Sequence, residues 1–148
     1  MAIPKPKHKS STKLKKKCWE IFSRYIRMRD SIRTHGSITD GKCVTCGKLL
    51  PWKQMDAGHF IPRYYGTTLF DERNVHLQCK HCNSGDGEIL KHRRAVVNLH
   101  GEGADVELEE KAGTKQWGIR ELEEMIEYYG ERIKQFEQGN WEIIWREN

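Results

Sequence analysis

Two C-x-x-C pairs frame the part of this sequence that could carry out chemistry. Cys43 and Cys46 form the first pair, and Cys79 and Cys82 form the second. Thiolates at this spacing can grip one zinc ion from a tight turn, and four of them complete its coordination shell. A zinc ion closed in this way stabilises a fold and does not itself catalyse. The sequence therefore predicts a structural zinc site.

A second set of polar residues lies inside or directly beside this frame. His59, Asn74 and Asn83 follow one another in the chain, and Asp56 stands three residues before His59. Histidine suits general-base chemistry near neutral pH, and the oxygens of Asn and Asp suit Mg²⁺. Taken singly, the histidine could be structural, and the asparagines could brace a turn or cap a helix. The order and spacing of the set favour a functional site. Because four cysteines already satisfy zinc, His76 and His81 are predicted to be bystanders.

The motifs C-x-x-C, D-x-G-H-F and R-N-x-H-x-Q-C-x-x-C-N occur here in that order. Their arrangement resembles the zinc-bearing HNH (ββα-metal) endonucleases and, more narrowly, the NinG (Rap) recombination protein family of lambdoid phages. The likeness extends over roughly residues 18–137, with weaker matches outside the core motif. It implies an α+β fold, in which a small ββα-metal (HNH) core is braced by a four-cysteine zinc site and flanked by N- and C-terminal helices.

The resemblance also implies a role for each polar residue. His59 would be the general base, and Asn74 would fix the hairpin loop and orient that base. Asp56 and Asn83 would hold a catalytic Mg²⁺ or Mn²⁺ ion. Many HNH enzymes carry an aspartate ligand immediately before the histidine, where this chain and NinG-like members have Gly58. The ligand shell of the catalytic ion is therefore left open.

Charge points to a polyanionic partner. The net charge is +5, and the first seventeen residues carry seven lysines. Such an arm indicates a nucleic-acid partner or serves only as a solubilising tail, and the arm alone does not distinguish the two. Arginines 24, 27, 29 and 33 are predicted on the solvent-facing sides of the first helix, where they could contact phosphates. The candidate DNA-binding residues are Lys13, Lys15, Lys16, Lys17, Arg24, Arg27 and Arg63.

Hydrophobic periodicity and turn residues divide the chain into three parts. Residues 1–17 are predicted to be a disordered basic tail, residues 18–100 the zinc-braced nuclease domain with its preceding helix, and residues 101–148 a C-terminal helical extension. Within the domain we expect a helix over 18–33, hairpin strands within 49–60 and over 74–78, and a helix that Asp86 caps. The apolar stripe over 119–136 predicts a long helix that packs on its own domain or pairs with a second copy; the former is favoured.

The leading hypothesis is a metal-dependent DNA endonuclease of phage recombination. The resemblance implies branched substrates such as Holliday junctions and D-loops, with recombination proteins of the phage or host as partners. Because symmetric resolution of a four-way junction needs two active sites, a homodimer through residues 119–136 is a further hypothesis. The alternatives are a non-catalytic zinc-stabilised DNA-binding module and a nonspecific nicking or restriction-type nuclease. No membrane span or secretory signal is visible, and the cysteines fit a metal site with Cys18 left over. We therefore expect a phage or prophage protein in the cytoplasm of a bacterial host.

Overall fold

The computed structural model describes residues 11–146, which form a small domain of mixed α+β structure. Its first half contains helix α1, two antiparallel strand pairs and a short helix: α1 Ser11–His35, β1 Asp40–Lys42, β2 Leu49–Pro51, β3 Met55–His59, β4 Val75–Cys79 and α2 Lys80–Asn83. Its second half is helical: α3 Ile89–His100, α4 Ala104–Lys111, α5 Ile119–Glu137 and α6 Glu142–Arg146. No helix in residues 11–146 has both the length and the apolar composition needed to cross a membrane.

Helix α1 is longer than the sequence predicted. Its buried stripe begins at Leu14 and continues through Cys18 and Phe22, so the apolar period starts one turn earlier than expected. The helix ends where Gly36 adopts a φ of +61° and donates its N–H to the carbonyl of Ile32. Residues 11–17 are therefore helical, which corrects the predicted disordered tail over that part. Residues 1–10 lie outside the described residues.

Helix α5 packs along α1 within the same chain. The rings of Tyr25 and Phe136 stack with centroids 5.5 Å apart, and the ring of Phe22 meets Tyr129 edge-on at 5.0 Å. The apolar face of α5 is buried there. This confirms the favoured interpretation of the 119–136 stripe, and the buried face of α5 is not available to a second copy.

The outer edge of β4 is covered by charged side chains from α1. Arg29 donates to the carbonyl of Val75 at 2.9 Å, and Asp30 accepts the backbone N–H of Leu77 at 2.8 Å. The two side chains also pair with each other at 2.8 Å, so both buried charges are compensated. The expectation that Arg29 lies on the solvent-facing side of α1 is therefore wrong, since it is 1% exposed.

The β3–β4 hairpin pairs Asp56 with Gln78, Gly58 with His76, and His59 with Val75. Directly opposed residues share a face of a sheet, and neighbours along a strand alternate. Asp56, Gly58, His76 and Gln78 thus lie on one face, and His59 lies on the other face. The predicted first strand divides into β2, a 3-10 turn and β3.

The segment after the hairpin differs from its prediction. Asn83 is the last residue of the four-residue helix α2, and α3 begins only at Ile89. Asp86 does not cap α3, because its carboxylate accepts the N–H of Glu88 in a local turn, and Glu88 has a φ of 54°. Helix α4 follows α3 within the predicted C-terminal extension. Val96 of α3 and Leu108 of α4 share a small core with Phe60, across the predicted boundary at residue 101.

Candidate active site and metal centre

The four cysteines of the two C-x-x-C pairs meet at one point. Cys43 and Cys46 lie in the turn after β1, Cys79 ends β4, and Cys82 lies in α2. Their four Sγ atoms are all within 4.8 Å of one another. Sulfurs about 2.3 Å from a shared zinc ion in tetrahedral geometry would show such separations. This cluster can hold a metal such as zinc, whereas Cys18 is buried in the main core and belongs to no such cluster among the described residues.

Hydrogen bonds favour the thiolate form of one cysteine of the cluster, Cys43. The Sγ atom of Cys43 accepts the backbone N–H of Cys79 at 3.3 Å and lies 3.3 Å from the hydroxyl of Thr45. Burial alone would raise the pKa of Cys43, but these hydrogen bonds outweigh it and lower the pKa to about 6. A thiolate is the form that binds metal, so these hydrogen bonds favour the ligand state of Cys43. Burial instead raises the pKa of Cys46 and that of Cys82, so these two thiols would lose their protons on metal binding.

His59 ends β3 with its two ring nitrogens in different surroundings. Its Nε2 lies 3.1 Å from the carbonyl oxygen of Leu69. Because a carbonyl can only accept, Nε2 carries the proton and Nδ1 carries the free lone pair. Nδ1 has no hydrogen-bond partner within residues 11–146. The ring also stacks on Trp19 of α1, with centroids 5.0 Å apart, and the guanidinium of Arg63 covers Trp19 at 4.4 Å.

Burial holds His59 in its neutral form. It lowers the pKa of the imidazole to about 4; the nearby charge of Arg63 acts in the same direction, and the carbonyl of Leu69 opposes both. A neutral imidazole at pH 7 can accept a proton.

Asn74 braces the loop that contacts His59. Its Oδ1 accepts the N–H of Ile61 at 2.6 Å, and its Nδ2 donates to the carbonyls of Ile61 and Thr68, each at 3.1 Å. Thr68 directly precedes Leu69, whose carbonyl orients His59. Asn74 is completely buried, so its side chain fixes the loop from within.

The side chain of Asn83, at the end of α2, meets that of Asp56 in β3. The Nδ2 of Asn83 donates to Oδ2 of Asp56 at 3.1 Å, and Lys80 donates to Oδ1 at 2.8 Å. The pair opens into a cleft of about 410 Å³ that also contains Trp19. The other lining residues are Ser23, Arg27, Lys53, Met55, Ala57, Arg63 and Lys80. Four cations and one carboxylate therefore face this space, as a polyanion would require.

The family model described as Bacteriophage Lambda NinG protein matches residues 2–140 of the chain. The chain belongs to the NinG family. It is 31% identical over 121 residues to protein ninG of Escherichia phage 933W and 30% identical over the same length to protein ninG of Escherichia phage lambda. These alignments cover 80% of this chain but 56% and 55% of the two relatives, so the chain spans about half the length of the curated relatives it matches. No solved structure matches it.

In this NinG-family chain, α1 separates the candidate DNA-binding residues by helical face. Lys15 and Lys16 line a depression next to the cleft, with Trp19 and Arg63 common to both, and Arg27 lies farther along the cleft. Lys13, Lys17 and Arg24 line neither space. Arg24 instead pairs with Glu137 of α5 at 2.8 Å.

One aromatic ring and two lysines of the cleft were not predicted from the sequence as site residues. Trp19 follows Lys16 at the spacing of one helical turn and precedes Ser23 and Arg27 on the same face, so its position could have been found by periodicity. Lys80 carried no signal of this kind, because its contact with Asp56 depends on how α2 packs beside β3. Lys53 lies in the 3-10 turn before β3, and that turn was not predicted.

His76, predicted to be a bystander, is the centre of a buried chain of imidazoles. Its Nδ1 lies 3.0 Å from Nε2 of His92, and its Nε2 lies 2.9 Å from Nε2 of His100. The two contacts use opposite nitrogens, so the three rings do not converge on one point. Burial lowers the pKa of His92 and that of His100 to about 4, and it lowers the pKa of His76 well below its usual value.

Proposed function

We propose that this chain is a metal-dependent DNA endonuclease of the HNH type. The observation that carries the proposal is a neutral histidine with an available Nδ1, stacked on Trp19 of the cleft into which Asp56 and Asn83 open. The chain order β3, β4, α2, with the cysteine cluster beside it, is the order expected of a zinc-braced ββα-metal core and supports the proposal. Family membership supports a role in phage recombination.

The residues present fit a catalytic divalent ion. Asp56 offers a carboxylate and Asn83 a carbonyl oxygen, which are the hard ligands that Mg²⁺ and Mn²⁺ prefer. When bound, such an ion would stabilise the negative charge that develops on the leaving 3′ oxygen. Gly58 contributes no ligand.

The remaining steps belong to the side chains of this chain. His59 would accept a proton at Nδ1 from a water molecule as the water oxygen forms its bond to phosphorus and the P–O3′ bond breaks. The carbonyl of Leu69 holds the other nitrogen protonated, and Asn74 fixes the loop that contains this carbonyl. Arg27, Lys53 and Arg63 would hold the phosphate backbone beside the cleft.

The deciding experiment compares cleavage of a labelled four-way junction and a linear duplex of the same sequence, in Mg²⁺ and in Mn²⁺, by wild type and His59→Ala. We expect the wild type to cut the junction, and His59→Ala to bind it without cutting. Zinc content and thermal unfolding of His59→Ala provide the folding control. Equal cutting of junction and linear duplex would favour a nonspecific nuclease.

One observation favours the binding-module alternative. Both oxygens of Asp56 already accept N–H donors, one from Lys80 and one from Asn83. The Lys80 contact is an exposed ion pair of the kind that contributes little, about 0–1 kcal/mol, and a cation could replace it. Binding of the junction with no cutting by either protein, in either metal, would establish the non-catalytic alternative.

A homodimer remains part of the proposal, because symmetric resolution of a four-way junction needs two active sites. The packed face of α5 cannot form its interface, so a second copy would have to use another surface. Analytical ultracentrifugation with and without junction DNA tests this point. A monomer under both conditions would reject the homodimer hypothesis. Recombination proteins of the phage or host are proposed partners on the resemblance alone.

A further inference from the structure

Gln78 has a polar atom that the fold buries without a partner. The residue is 0% exposed, and its Oε1 has no hydrogen-bond partner in the described part of the chain. Its Nε2 is well placed, donating to the carbonyl of Gly87 at 2.8 Å and to the hydroxyl of Thr45 at 3.3 Å. A buried acceptor without a hydrogen-bond partner destabilises the folded state, so it calls for a physical reason.

The unpartnered oxygen points to the metal-binding side of the hairpin. A Cβ atom added to Gly58 would lie 2.0 Å from Oε1 of Gln78 and 3.0 Å from Oδ1 of Asn83. Gln78 and Asn83 therefore face the same small space, which exists because residue 58 has no side chain. Gln78 is also the cross-strand partner of Asp56 and lies on the same face of the hairpin.

The amide of Asn83 has the wrong orientation to share a cation with Asp56. Its Nδ2 faces the carboxylate and its Oδ1 faces the space beside Gly58. A nitrogen that donates hydrogens cannot ligate a cation, so Asn83 can offer its oxygen on the Asp56 side only after the amide turns over. The two ends of the amide are nearly equal in size, so the turn needs no extra room.

We propose that Gln78 is a positioning residue that holds Asn83 in its metal-binding orientation. After the turn, Nδ2 of Asn83 faces Oε1 of Gln78, and the buried acceptor gains the donor that it lacks. Hydrogen bonds from neighbouring residues commonly orient metal ligands in this way. Gln78 does not itself contact the ion, because it is fully enclosed and Mg²⁺ retains several waters. The inference rests on the proposed function, since it needs a cation shared by Asp56 and Asn83.

Two substitutions separate this role from ordinary packing. Gln78→Glu keeps an acceptor oxygen and loses the Nε2 donor to Gly87, whereas Gln78→Met loses both. The measurement is Mn²⁺ affinity of the full zinc-loaded chain without DNA, followed by the electron paramagnetic resonance of free Mn²⁺. We expect Gln78→Met to weaken Mn²⁺ binding by about 10- to 100-fold, and Gln78→Glu to bind at least as well as wild type. Gln54→Met, an exposed change next to β3, is the matched control and should have no effect.

Two results overturn the inference. One is wild-type Mn²⁺ affinity in Gln78→Met; the other is equal weakening in Gln78→Met and Gln78→Glu, which would assign the effect to the Gly87 hydrogen bond. If Gln78→Met does not fold, side-chain amide NMR of wild type decides. The Asn83 amide protons should shift and become protected from exchange on addition of Mg²⁺, and unchanged signals reject the proposal.

Asp56→Ala and Asn83→Ala distinguish this inference from the proposed function. If neither variant changes Mn²⁺ affinity, the shared cation site is absent, and the proposed metal chemistry fails with it. If both weaken binding and Gln78→Met does not, the metal site stands and only the role of Gln78 is rejected.

Discussion

His59 and His76 lie on the two strands of one hairpin, on opposite faces, and burial lowers the pKa of both. Their hydrogen bonds differ. His59 donates from one nitrogen to the carbonyl of Leu69 and keeps the other lone pair, whereas His76 has both nitrogens engaged, by His92 and by His100. A perturbed pKa therefore does not by itself identify a base in this hairpin. What supports His59 as the proposed base is its unengaged nitrogen, together with the stacking of its ring on Trp19, which lines the cleft.

The largest effect is expected from loss of the cysteine cluster, which would disrupt the surroundings of His59 and His76 together. The cysteine cluster ties β1 to the end of β4 and to α2, and zinc binding contributes on the order of 10 kcal/mol to the folding of small zinc domains. We expect Cys79→Ala to bind no zinc, and we expect its hairpin to show no cooperative unfolding transition. Zinc content and near-ultraviolet circular dichroism measure this. Cys18→Ala is the control, since it should keep full zinc occupancy at a cost of about 1 kcal/mol. Equal zinc loss in both variants would contradict the assignment of the cluster.

The next prediction separates the two histidines. His76→Ala empties a completely buried position and leaves two imidazoles without their shared partner, so it should lower the free energy of unfolding by about 2–5 kcal/mol. His59→Ala removes a partly exposed ring and should cost about 1 kcal/mol. Urea denaturation of the zinc-loaded variants provides the comparison. If the proposed function is right, the order is reversed for cleavage by the folded molecules, so that His59→Ala loses more activity than His76→Ala. A similar loss of stability in both variants would contradict the view that His76 stabilises the fold and that His59 contributes little to it.

The local features of this site follow from the sequence, and the long-range ones do not. The cysteine spacing, the hairpin around Asn74 and the apolar stripe of α5 are periodic or short-range patterns, and the structure contains each of them. Arg29 was placed on the wrong side, although it follows Phe22 by two helical turns and so shares its buried face. A buried arginine is rare, and its partner Asp30 is adjacent in sequence, which makes the ion pair easy to overlook.

Other features depend on contacts between distant segments. His92 meets His76 only because α3 folds back over the hairpin, and no spacing rule links the two positions. Trp19 covers His59 for a similar reason, because the packing of α1 on the hairpin decides which ring it touches. The unpartnered oxygen of Gln78 becomes visible only when the space beside Gly58 is known.

The imidazole chain predicts acid sensitivity. The pKa of both His92 and His100 is about 4 in the folded protein, below the unfolded value of about 6.5, so the unfolded chain binds more protons between these values. Stability is therefore full above pH 6.5 and decreases as the pH falls towards 4, by a few kcal/mol in all. Urea denaturation at several pH values should show this loss, with zinc content measured at each pH. His100→Gln removes one titrating ring, so the free energy of unfolding should fall less steeply with decreasing pH. An unchanged dependence on pH would exclude the three imidazoles as its source.

The smallest effect tests whether the His59 side of the molecule is the side that meets DNA. Lys16 lies on the face of α1 that carries Trp19. Lys17 is the next residue, and it lines neither the cleft nor the depression beside it. Both side chains are exposed, so neither Lys16→Ala nor Lys17→Ala should change stability measurably. If DNA follows the cleft, Lys16→Ala reduces the slope of log K against log salt by about 0.9, because one phosphate contact is lost, and Lys17→Ala leaves the slope unchanged. Fluorescence anisotropy with a four-way junction over a salt series gives both slopes. Equal reductions would mean that the lysines act as a diffuse charge on α1, and the path of the DNA would then have to be sought on another surface.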